Sequence, residues 1–82
     1  MNMEPILNFR TSDLPLIAFL RYKGFVVLRI EKISDYKCEF IFEDVDRQIL
    51  DDYQTENAAV EPRKFSSIMH QQIQAAKSKL RE

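Results

Sequence analysis

"FVVLRIEKISDYKCEFIFE", Phe25 to Glu43, contains two runs of alternating apolar and polar side chains separated by a polar break at Ser34-Asp35. In the first run Val26, Leu28 and Ile30 point one way and Val27, Arg29 and Glu31 the other. In the second, Cys38, Phe40 and Phe42 oppose Lys37, Glu39, Ile41 and Glu43. A period of two belongs to a strand with one buried face, so the stretch predicts an antiparallel hairpin. Keeping both apolar sets on one face restricts its register. Pairing Ile30 with Cys38, Leu28 with Phe40 and Val26 with Phe42 satisfies that condition. It also sets Arg29 against Glu39, Glu31 against Lys37 and Val27 against Ile41 on the other face, pairs worth a few tenths to about 1 kcal/mol each. A shift of two would bring Glu31 opposite Glu39. The expectation is the first register, closed by a turn of three or five residues.

Upstream, "TSDLPLIAFLRYKGF" has the marks of a helix from about Ser12 to Lys23. Thr11 or Ser12 can cap it, Asp13 complements the positive end of its dipole, and Pro15 falls in the first turn where a missing N–H is least costly. Gly24 follows at the place where a left-handed residue ends helices. Leu14, Ile17 and Ala18, widened by Leu16 and Leu20, form the face that would lie on the hairpin. Downstream, Asp44 is the expected cap of a helix through "VDRQILDDYQTE", with Val45, Ile49 and Tyr53 four apart. After Asn57 to Val60, a last helix opens on Pro62, with Val60 placed to pack on Phe65 as a hydrophobic staple. Phe65, Ile68, Met69, Ile73, Ala76 and Leu80 then keep a three-four spacing. Burying four such side chains contributes about 6–12 kcal/mol before ordering costs, so this stripe belongs to a core or an interface.

The expected architecture is α+β in the order α-β-β-α-α: one antiparallel hairpin packed by helices. Residues 1–10 form an N-terminal arm and 11–82 a single domain. A lone hairpin is marginal, so either helices cover it or a second copy extends it to a four-stranded sheet in a homodimer. Eighty-two residues support only a thin core.

Composition narrows the function classes. Twelve basic and thirteen acidic residues leave a net charge of −1, unlike a typical nucleic-acid-binding domain. The distribution is uneven. Glu39, Glu43, Asp44, Asp46, Asp51, Asp52 and Glu56 make the middle acidic, whereas Arg63, Lys64, Lys77, Lys79 and Arg81 make the last segment basic. A single cysteine excludes an intramolecular disulfide and suits a reducing compartment, and the N-terminus lacks a signal-peptide pattern. The expected location is the cytoplasm. No stretch approaches a membrane span.

No catalytic constellation is legible. His70 reads as a boundary or solvent-exposed histidine, because no nucleophile or carboxylate is placed against it by the sequence. One histidine and one cysteine do not make a zinc site. Cys38 reads as a small core hydrophobe, "EDVDRQILDD" lacks the glycine and spacing of a calcium loop, and the one glycine, Gly24, cannot build a phosphate cradle.

Thr11-x-Asp13-Leu14-x-Leu16, Phe19-Leu20, Gly24, Phe40-x-Phe42-x-Asp44, Tyr53 and Val60-x-Pro62-Arg63-Lys64-Phe65 together form a pattern running from Thr11 to Leu80. It resembles a family of short bacterial and phage-associated proteins classed as a domain of unknown function. The resemblance implies a small accessory protein and assigns no residue a role. The functional expectation is a non-enzymatic domain without cofactor or metal that works by contact with a protein partner or a second copy. Val27, Arg29, Glu39 and Ile41 on the hairpin's second face are its candidate interface. The alternative is nucleic-acid contact through Arg63, Lys64, Lys77, Lys79 and Arg81 at the ends of the last helix. Neither a membrane nor a small-molecule substrate is inferred.

Overall fold

The hairpin forms, and a third strand joins it. In the computed structural model, which describes residues 4–55 and 59–82, the order is β1 (Ile6–Thr11), α1 (Leu14–Tyr22), β2 (Val27–Ser34), β3 (Lys37–Val45), α2 (Arg47–Gln54) and α3 (Pro62–Leu80). The class is α+β as expected, but the order is β-α-β-β-α-α. The sheet is antiparallel with β3 in the middle, β1 on one side and β2 on the other. Residues expected as an arm therefore supply an outer strand. No alternation marks this strand in the sequence, because Asn8 adopts φ 52°, which lets Ile6 and Phe9, three apart, be its less exposed apolar residues.

The register is the one set aside. Ile30 faces Phe40, Glu31 faces Glu39 and Lys32 faces Cys38, with Asp35-Tyr36 as a two-residue turn between Ser34 and Lys37. The like-charged pair is tolerated because β1 brings a cation to it. Arg10 donates to Glu31 at 3.0 Å and to Glu39 at 3.2 Å, and Arg29 Nε donates to Glu31 at 2.7 Å. Leu28 and Ile33 are extra residues in β2, each a bulge against the regular β3. The first bulge reverses the expected facing of the strand's start. Val27 turns in to pack on the core, while Val26 and Leu28, expected inside, are exposed.

Ile17 and Leu20 of α1 and Phe40, Phe42 and Val45 of β3 make the core cluster. Asp13, not Thr11 or Ser12, caps α1, accepting from the Leu16 amide at 3.3 Å. The expected glycine stop holds: with Gly24 at φ 94°, its amide donates to the Arg21 carbonyl and that of Phe25 to the Leu20 carbonyl, both at 3.0 Å. β3 runs on through Asp44 and Val45, so the cap of α2 is Asp46, which accepts from the Gln48 amide at 2.8 Å. The expected tail of that helix at Glu56, and the following Asn57 and Ala58, lie outside the described residues. α2 is an outrigger on α1, held by the Tyr53 and Phe19 rings at 5.3 Å with Ile49 and Leu50 against the core. α3 begins at Pro62 as expected, capped by Glu61 through the amides of Arg63 and Lys64. Its apolar stripe is only half-buried, from Phe65 to Leu80.

Candidate functional site

α3 lies antiparallel to α1, and this pairing creates two cationic ends. At one end the Tyr22 ring stands 6.3 Å from that of Phe65, and its hydroxyl accepts from the Glu61 amide at 2.9 Å. Lys64 and Lys23 both place their ammonium groups on the Tyr22 ring, at 5.1 and 5.9 Å. Arg63 and Lys64 are thus joined by Lys23, a residue that the sequence reading assigned only to the end of α1.

At the other end, the last turns of α3 meet the segment entering α1 and the tip of the hairpin. A pocket of about 230 Å³ opens between them. Its apolar lining is Leu14, Phe40, Ile73, Ala76 and Leu80, with the Cys38 thiol among them. Lys37 and Lys77, both exposed, stand at its edge beside Tyr36, which is 91% exposed. Ser12 completes the wall. Among the described residues its hydroxyl is the buried side-chain polar atom with no hydrogen-bond partner in the protein.

The surrounding charges are not equivalent. Lys79 is paired with Glu82 at 3.1 Å, and Lys32 donates to the Glu82 carbonyl at 3.1 Å. Among the described residues, Lys37 and Lys77 are in no ion pair. Cys38 donates its thiol proton to the Ala76 carbonyl at 3.4 Å. Burial pushes the thiol's pKa up against the opposing pull of Lys79 and Lys32, so the protonated form prevails and the sulfur is a poor nucleophile. Burial likewise raises the Tyr53 phenol, with Asp13 acting in the same direction. His70 is exposed on α3. Among the described residues, no three His, Cys, Asp or Glu side chains gather as a metal-holding group, and no helix is long and apolar enough to cross a membrane.

The four hairpin residues singled out from sequence fall on different surfaces. Arg29 and Glu39 are on the sheet face away from the helices, within the Arg10–Glu31–Glu39 network. Ile41 lies between Arg10 and Arg29 in a row across the sheet and has no exposed surface. Val27 is on the opposite, core-facing side. The five basic candidates divide between the two ends of a 19-residue helix, about 27 Å apart at 1.5 Å per residue. Missing from the sequence reading were Lys32 and Lys37, which join Lys77, Lys79 and Arg81 at the hairpin end, and Ser12. No local pattern marks the lysines, because Lys37 stands beside α3's basic end only through the register and two-residue turn of the hairpin.

The family model described as Domain of unknown function (DUF5659) matches residues 7–81, from within β1 to just past α3. The chain belongs to this family. No curated protein and no solved structure matches it. Family membership covers every element of the fold and both cationic ends, and its description names no activity, so roles for DUF5659 residues in this chain rest on their geometry.

Proposed function

We propose that this domain acts by contact rather than catalysis, through the free edge of its hairpin, as a small cytoplasmic accessory protein of bacterial or phage origin. The observation carrying this reading is where the large apolar side chains remain in water. Four of the five among the described residues, Val26, Leu28, Ile33 and Tyr36, are 51, 47, 50 and 91% exposed and run from the approach to β2 along that edge into its turn, while Leu7, at 67%, stands on the opposite edge in β1. Such a line of apolar side chains favours a protein surface. The bulges at Leu28 and Ile33 interrupt the outer row of backbone donors and acceptors, so a partner meets side chains and does not add a strand. The partner is another protein or a second copy.

The test compares the wild-type chain with L28K/I33K. Light scattering over a concentration series reads self-association, and capture from nuclease-treated host lysate reads other partners. Association lost in the variant, with circular dichroism unchanged, supports the edge. Equal association by both chains, or a monomer that captures nothing, removes it.

A second reading, nucleic-acid contact, draws on the convergence of Lys32 and Lys37 with Lys77, Lys79 and Arg81. Phosphate contacts must release counterions, so binding that persists undiminished as salt rises would eliminate it.

A further inference from the structure

We propose that the pocket at the hairpin end binds a small organic anion: a free carboxylate carrying a short apolar body. This inference goes beyond the contact reading, because it concerns the hollow between α1, α3 and the turn and does not need the β2 edge. The apolar body follows from Leu14, Phe40, Ile73, Ala76 and Leu80, a lining that favours hydrocarbon over water. The charge follows from Lys37 and Lys77. They come from two elements, stand at one opening, and pair with no acid of the described chain.

Two ammonium groups without a counter-ion beside an apolar hollow suit one carboxylate, each donating to an oxygen. A neutral apolar molecule would gain nothing from the two ammonium groups at the opening. A bare inorganic anion would leave the apolar lining empty. At about 230 Å³ the pocket is below the roughly 300–1,000 Å³ of sites for drug-sized ligands, so the body is a chain of a few carbons or a single ring.

The test titrates the 15N-labelled full chain with hexanoate, 1-hexanol and acetate, following the amide signals of Ser12, Cys38, Ala76 and Lys77. The expected result is a saturable shift of these signals by hexanoate, with weaker binding of hexanol and acetate. K37Q and K77Q alter exposed residues and leave the core untouched. Each should weaken hexanoate about two- to fivefold, the size of an exposed charge interaction, without changing the response to hexanol. Hexanol binding as well as hexanoate, affinities indifferent to both substitutions, or no saturable shift would each overturn the proposal.

Discussion

Arg10 decides whether Glu31 and Glu39 can face each other. Removing it leaves two carboxylates opposed across β2 and β3, which is destabilising, so R10A should lower the urea midpoint. Adding E39Q to R10A should raise the midpoint again, whereas E39Q alone should not stabilise; additive losses in the double variant would contradict this account. Glu31 also sets an acid dependence. The hydrogen bond from Arg29, aided by the charge of Arg10, holds its pKa below the ordinary carboxylate range. A depressed folded-state value means that the stabilisation is present above the unfolded pKa and is lost as pH falls through the folded one. The wild-type advantage over E31Q should therefore be full near neutrality and vanish in acid, as read from denaturation midpoints across pH. The sequence showed the opposite charges but assigned them to direct pairs, because the strand carrying Arg10 was not recognised.

At the scale of elements, helix ends were more legible than strands. A cap, a proline or a terminal glycine acts within a few residues, so Pro62 and Gly24 could be read directly, and the errors at Asp13 and Asp46 were one or two positions. Strand facing instead depends on every residue keeping count. Two bulges in β2 and one positive φ in β1 broke that count, hiding a strand, shifting the register and placing Val27 on the wrong face. The pocket was illegible for a related reason, since it requires α1, α3 and the turn to meet. Two substitutions test the ends. D46A removes the cap of α2, a helix with no buried residue, and should cost about 1 kcal/mol while exposing its amides to faster exchange. At Gly24 a Cβ would meet nothing within 4 Å, so G24A should cost about 1–2 kcal/mol through backbone strain alone, and calorimetry should show G24N to be milder.

The whole molecule rests on a small set of side chains from α1 and β3. At 82 residues its total stability is of order 4–12 kcal/mol, and F40A, which empties the centre of the cluster, should cost about 3–5 kcal/mol. Far-ultraviolet circular dichroism in urea should show a sharply lower midpoint or an unfolded chain; a near-normal midpoint would mean that Phe40 is not central. Hydrogen exchange should also rank the strands. β1 closes a long loop to reach β3, while β2 is joined to it by two residues, so β1 should open first. The same topology has a meaning during translation. The middle strand is the last strand synthesised, so β1 has no neighbour to bond until β3 has been made. At ordinary elongation rates of about 5–20 residues per second, the 34 positions from Thr11 to Val45 impose a delay of roughly 2–7 s. For the later part of that interval, once α1 has been made, the nascent chain carries the apolar face of that helix, Ile17 and Leu20 included, without the strand that will cover it, and a chaperone would have most to hold until β3 follows.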